Sequence, residues 1–180
     1  MINYCTHFKI FYMKKIFIIL AIILPLSIVH AITLGGIFSK NSTPKNIQLP
    51  QFSVVDMNGK IHNNKTVKGK YLVVNFWATW CPPCLKEIPA FVDFYDKHSD
   101  KVELLGMDYE QVNIDKITDF TDNFMVNYPI ILSSDKNRAE FEKFGKVVGM
   151  PTTYIYAPDG ALINHYMGEI NIKTLEEAIR

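Results

Sequence analysis

The sequence predicts an α/β fold: a mixed central sheet flanked by helices, with an N-terminal β-hairpin and a helical insertion. Three observations predict it. Tyr71–Trp77 is a nearly continuous apolar run, the pattern of a central strand buried on both faces. Helical periodicity follows it, then a second apolar run, Val102–Asp108; strand, helix, strand in that order implies a right-handed crossover and parallel pairing. Near the end, Thr152–Tyr156 and Ala161–Met167 flank Pro158-Asp159-Gly160, an antiparallel hairpin that makes the sheet mixed.

At 180 residues the chain holds one domain, residues 47–180, behind an N-terminal appendage. A hydrophobic content of 48%, with 12 Phe and 9 Tyr, is ample for a core. The net charge is +1; without residues 1–31, which hold three lysines and no acid, 16 basic residues face 18 acidic ones. No nucleic-acid surface is implied.

Taken in order, the chain opens on Lys14 and Lys15 before the uncharged apolar run of residues 16–29, and Val29-His30-Ala31 resembles a small-residue cleavage site. Residues 1–38 therefore read as an export signal or an uncleaved membrane anchor, since residues 16–38 are long enough to cross a bilayer. Either way the lysines stay inside and the domain goes out, to the periplasmic or extracytoplasmic face of the inner membrane. Met13-Lys14-Lys15 is itself a compact export start; if Met13 rather than Met1 begins the chain, Cys5 never exists and the cysteines reduce to one pair. Residues 39–46 are a polar linker.

The domain proper begins with Phe52–Asp56, a turn at Met57-Asn58-Gly59-Lys60, and a return at Ile61-His62; Asn-Gly between short strands is a hairpin signal. After Tyr71–Trp77, a helix from Cys81 carries Leu85, Ile88, Val92 and Tyr95 at helical spacing, with Pro89 expected to kink it. Ile114, Ile117, Phe120 and Phe124 mark another helix, capped by Asn113. Tyr128–Leu132 reads as a short strand and Lys136–Phe144 as a helix stopped by Gly145. A last helix, capped by Asn171, presents Ile172, Leu175 and Ile179 on one face.

The chemistry sits at the join of strand and helix, in Trp80-Cys81-Pro82-Pro83-Cys84. Two cysteines on one helical turn can bond or part with little backbone movement. Pro82 and Pro83 suit a first turn that has no use for their missing N–H groups. Cys81 then falls at the N-cap, where the helix dipole favours a thiolate, and should be the exposed, attacking sulfur. Cys84, inside the turn, should be the more buried and should resolve the mixed disulfide. The prolines leave few N–H donors for a thiolate, which leans toward a reductant. Two other readings of the pair are half of a zinc site and inert core thiols, but His62, His98 and His165 are scattered and the mature chain has no further cysteine. No metal and no cofactor is expected.

The run Asn75-Phe-Trp-Ala-Thr-Trp-Cys-Pro-Pro-Cys, with Glu87 and Pro89, resembles the thioredoxin superfamily, and within it the TlpA/ResA-like thiol–disulfide oxidoreductases, over roughly residues 47–180. The resemblance implies a thioredoxin-like fold and a cis Met150–Pro151 bond facing the cysteines, with the Met150 backbone free to pair with an extended substrate. Where thioredoxin-like proteins commonly carry an acid as proton acceptor, this chain has Asn75. Glu87, one turn past Cys84, is the next candidate, and relatives carry an acid at that position; the competing reading is a solvated helix glutamate. Trp80, Pro82, Pro83, Met150, Pro151 and Thr152 make the expected substrate surface, Trp80 also covering the disulfide, while Trp77 belongs to the core. Met107, Met125 and Met150 read as packing rather than copper ligands.

The expected function is an extracytoplasmic thiol:disulfide oxidoreductase that reduces exported proteins, apocytochrome c being one option, and is recharged by a membrane reductant donor. Thr152 stands where the CcmG/DsbE-like subgroup has an acid, so the TlpA/ResA-like label fits better. The alternatives are a copper-delivery or thiol-holding module for respiratory-oxidase assembly, and a peroxiredoxin. Against the last, Val74 stands where the expected Pro-x-x-x-Thr-x-x-Cys pattern has its proline, and Thr79 is one residue too close to Cys81.

Overall fold

In the computed structural model, residues 47–180 are described, except Val112 and the side chain of Lys136. The expectations for residues 1–46 (export segment, linker, Cys5, start site) lie outside the described residues. Among the described residues no helix is long and apolar enough to cross a membrane.

The apolar run Tyr71–Trp77 is strand β3, buried from Leu72 onward, and Val102–Asp108 is β4, buried throughout. They pair in parallel from Tyr71 opposite Val102 to Trp77 opposite Asp108. The helix α1 (Pro82–His98) makes the crossover. β5 (Ile130–Leu132) adds in parallel to β4, β6 (Thr152–Tyr156) runs antiparallel to β3, and β7 (Leu162–Met167) antiparallel to β6, giving the order β5-β4-β3-β6-β7. β1 (Ser53–Val55) and β2 (Ile61–Asn63) form a separate antiparallel hairpin whose turn places Gly59 at φ +85°, a conformation that favours glycine. The inserted helix α2 (Ile114–Asn123) lies between β4 and β5, with Asn113 accepting from the Asp115 N–H as the predicted cap. After α3 (Asp135–Phe141) and a 3₁₀ turn, Glu142–Phe144, the chain breaks at Gly145; α4 (Ile172–Ala178) closes the fold behind its Asn171 cap.

Alternation along the central strands divides the interior into two cores. Val73 and Trp77 of β3 join Phe91 and Phe94 of α1, Ile117 of α2 and Leu175 of α4. Leu72, Val74 and Phe76 join Leu105, Met107, Phe141 and Phe144, with Phe52 and Val54 of the hairpin.

Several expectations need correction. The buried stripe of α1 is Cys84, Glu87, Ile88, Phe91 and Phe94, so only Ile88 of the predicted set lies in it; Leu85, Val92 and Tyr95 are half-buried flanks. A glutamate inside the stripe disguised it as a polar position. Pro89 does lie inside the helix, as read from the sequence, and sits on its exposed side, where the carbonyl it deprives can face water. β5 starts at Ile130 rather than Tyr128, since Pro129 has no N–H to donate to a ladder. Ala161 falls outside β7 and instead bridges to Gln48. Met125 is not packing: it is 77% exposed at φ 53°.

Asp56, His62 and Glu103 form a buried charged trio between the hairpin and β4. His62 Nε2 lies 2.9 Å from Asp56 Oδ2 and its Nδ1 3.3 Å from Glu103 Oε1, with Lys70 Nζ 4.0 Å from the other Glu103 oxygen. The 3.3 Å contact is an ion pair without hydrogen-bond alignment. Burial works against the imidazolium, but Glu103 and Asp56 outweigh it and raise the His62 pKa. Burial likewise opposes both carboxylates. His62 and the Lys60 and Asn58 N–H groups still lower Asp56, and His62, Lys60 and Lys70 lower Glu103.

Candidate active site

The two cysteines sit at the C-terminal end of β3, where the chain turns into α1. Cys81 is the N-cap, in extended conformation, with Pro82 and Pro83 in the first turn. It is joined to Cys84 by a disulfide, the Cα atoms 5.3 Å apart. The sulfur of Cys81 accepts no capping hydrogen bond. The predicted order of burial holds, with Cys84 fully buried, but Cys81 is only 4% exposed in this disulfide form and not the open thiol expected. Trp80 beside it is 63% exposed, so most of its surface faces solvent rather than covering sulfur. Trp77 is in the core, stacked on Phe120 at 5.0 Å.

Glu87 is 1% exposed and shares the buried stripe of α1 with Cys84, which removes the reading of a solvated helix glutamate. Its Oε1 accepts from Asn75 Nδ2 at 2.8 Å and its Oε2 from the Ile170 N–H at 3.2 Å. Burial pushes its pKa up to about 7; the bonds from Asn75 and Ile170 pull the other way, and the charge of Glu169 adds to the rise. Asn75 also donates to Thr153 Oγ1 at 3.1 Å. The amide that replaces the expected strand acid is therefore the hydrogen-bond partner of the acid on the helix. A buried carboxyl with a pKa near neutrality can give or take a proton at physiological pH.

β6 runs antiparallel to β3, with Thr152 opposite Phe76, so the start of β6 lies at the end of β3 where the motif begins. The Met150–Pro151 bond is cis, as expected. Pro151 accepts from the Gly168 N–H at 2.8 Å, and Thr152 Oγ1 donates to the Gly149 carbonyl at 2.7 Å. Met150 is half-buried against the cluster that contains Cys81 and Cys84. The structure thus gathers the cysteines, Glu87 and the Met150–Thr152 loop at one end of the sheet.

Two acids at the same end went unread in the sequence. Asp108, opposite Trp77, is 1% exposed; burial first, and the charge of Glu110 after it, push its pKa up to about 7 against the Glu110 N–H and Lys116. One of its oxygens accepts from the Glu110 N–H at 3.3 Å, and the other has no protein partner. Glu110 accepts from the Thr79 N–H at 2.6 Å. An acid ending an apolar strand gives no sequence signal of this. Among the described residues no group of three or more His, Cys, Asp or Glu comes together to hold a metal ion.

Residues 46–165 match the AhpC/TSA family. The chain is 33% identical over 147 residues to the thiol-disulfide oxidoreductase ResA of Bacillus cereus, covering 81% of this chain and 83% of that protein. It is 30% identical to ResA of Bacillus subtilis, covering 89% of this chain and 86% of that one. The crystal structure of StoA from Bacillus subtilis superposes with a TM-score of 0.61 at 28% identity, over 73% of this chain and 98% of that one.

Proposed function

We propose that this chain, which belongs to the AhpC/TSA family and, within the thioredoxin superfamily, to the ResA-like thiol–disulfide oxidoreductases, reduces disulfides of exported proteins. The observation that carries the reading is the N-cap disulfide with a buried carboxyl, Glu87, on the Cys84 side of the same helix. In the reduced protein the Cys81 thiolate attacks one sulfur of a substrate disulfide. A Cys81–substrate bond forms, the substrate disulfide breaks, and the departing sulfur takes up a proton. Cys84 gives its proton to Glu87 and attacks the Cys81 sulfur, breaking the Cys81–substrate bond; the second substrate sulfur leaves as a thiolate and takes up a proton from water or from Glu87. Two electrons have passed to the substrate, and the protein is left with the Cys81–Cys84 disulfide of this structure. A thiol donor at the membrane restores the dithiol. Trp80, Pro82, Pro83, Met150, Pro151 and Thr152 line the approach, and the Met150 main chain pairs with the extended substrate segment. Pro82 and Pro83 in the first turn leave few N–H donors for a Cys81 thiolate, which supports a reductant over a strong oxidant. Apocytochrome c, whose thiols must stay reduced before haem attachment, is one substrate that fits this chemistry.

Mild alkylation of the reduced protein should label Cys81 before Cys84. Preferential labelling of Cys84 would overturn the assignment of attacking and resolving sulfurs. In parallel, the reduced chain should reduce insulin and bind no stoichiometric Cu(I); the reverse pair of results favours the copper-delivery reading.

The domain works outside the cytoplasmic membrane. The lysines before the apolar N-terminal run support this. An alkaline phosphatase reporter fused after residue 40 should be active. An inactive phosphatase, with an active cytoplasmic reporter at the same junction, would place the domain inside.

A further inference from the structure

We infer that Glu110 is a positioning residue for Cys81: its carboxylate holds the main-chain N–H of Thr79 and so fixes the Thr79–Trp80–Cys81 approach to the helix. The inference rests on the assignment of Cys81 as the attacking sulfur and adds what aims it.

The ladder between β3 and β4 ends at Trp77 opposite Asp108, followed by the Tyr109 N–H donating to the Trp77 carbonyl at 2.9 Å. Beyond that point the two chains have no regular pairing. The β3 chain turns at once: the Cys81 N–H reaches back to the Ala78 carbonyl at 3.2 Å, with Thr79 and Trp80 as the turn's central residues. An N–H at the first central position has no partner within such a turn. Glu110 supplies one, accepting from Thr79 at 2.6 Å across 31 positions of sequence. This is a charge-assisted bond of the short kind. The carboxylate and its residue are themselves held in place. Its other oxygen pairs with Lys116 of α2 at 3.3 Å, its own N–H donates to Asp108, and its side chain is only 7% exposed. Burial opposes its charge, but Thr79 and Lys116 outweigh burial and keep its pKa below the usual glutamate value. The strand β4 and the helix α2 thus hold the turn that carries Trp80 outward and sets Cys81 at the N-cap.

Reach and charge can be separated at this position. Glu110→Gln keeps a carbonyl oxygen at the same distance and loses the charge. Glu110→Asp keeps the charge and is one methylene short. Glu110→Ala has neither. The readouts are the rate at which Cys81 of the reduced full chain, in detergent, reacts with an aromatic disulfide between pH 6 and 9, and the fluorescence of the reduced protein in a Trp77→Phe background, where Trp80 is the remaining tryptophan. The Asp and Ala variants should react about tenfold or more slowly with altered fluorescence, as expected for losing a charge-assisted bond, and Gln should stay within about threefold of the parent. An Asp variant as fast as the parent, or a Gln variant as slow as Ala, would overturn the inference. If Ala fails to fold, Asp against Gln decides alone. Labelling of Cys84 first in the parent would instead overturn the assignment of sulfurs, a separate failure.

Discussion

Replacing His62 with alanine is expected to remove about 3–5 kcal/mol of folding stability near pH 6, the cost of leaving buried charge without its counter-ion. His62 is 1% exposed and stands between Asp56 and Glu103, each 7% exposed. Taking it away leaves Asp56 with the N–H groups of Asn58 and Lys60, and Glu103 with a distant Lys70. Total stability of a domain this size is about 5–15 kcal/mol, so the loss is a large share of the whole. The hairpin should suffer first, because Asp56 and His62 are its contribution to the trio and Glu103 belongs to the central sheet. A urea midpoint at pH 6 that corresponds to a loss under about 1 kcal/mol would show that the trio holds nothing.

The trio also gives the parent a pH signature with a fixed sign. A histidine with a raised folded pKa contributes stability that is fully present below about pH 6.5 and is lost as pH rises through the folded value. Asp56 and Glu103, whose pKa values are lowered, contribute stability present above about pH 4 that is lost as pH falls. The trio therefore stabilises most between roughly pH 4.5 and 6.5. Buried Glu87 and Asp108 give both proteins a common fall up to about pH 7; above about pH 6.5 the parent's urea midpoint should descend more steeply than that of the His62→Ala variant. Parallel descents in the two proteins would remove His62 as a contributor to the fall.

How far the chain could be read before folding depends on the distance over which each feature is encoded. β3 and β4 appear where the apolar runs place them, because strands buried on both faces write their own boundaries. The helix start at Cys81 was legible from two adjacent prolines, a local rule. Glu87 was half legible. Its spacing from Cys84 put it on the right face, but its partner Asn75, 12 positions earlier, read as an absence rather than a donor. The trio was illegible: His62 in a short strand looks like a polar surface residue until the hairpin is laid over Glu103, 41 positions away. The link from Glu110 to Thr79 depends on a parallel register that no periodicity specifies. Where the sequence reading failed outright, at the buried stripe of α1, the misleading residue was Glu87 itself. A site residue breaks the hydrophobic pattern that would have located it.

Glu87→Gln is expected to slow resolution of the mixed disulfide by about ten- to a thousandfold near neutral pH, the lower part of the range for acid–base help. The first attack by Cys81 should change less, because Glu87 lies on the Cys84 side of the helix. Stability separates this from structural damage. The Glu87 pKa is raised to about 7, chiefly by burial, so the folded protein holds a proton that the unfolded chain has already released. Stability then falls as pH rises from about 4.5 through 7, by roughly 3 kcal/mol for a shift of that size, and is flat above. Glutamine keeps the shape and never ionises, so relative to the parent the variant should gain stability across that window while losing resolution rate. Its amide can still accept from Asn75 but faces the Ile170 N–H with a second donor, which offsets part of the gain. Stopped-flow release of a chromophoric thiol, followed from pH 6 to 9 beside urea melts of the oxidised protein at pH 4.5 and 8, measures both quantities. A variant that resolves at the parent rate across that range would leave Glu87 a buried acid with no part in the exchange, its carboxyl destabilising the fold above pH 7 without return.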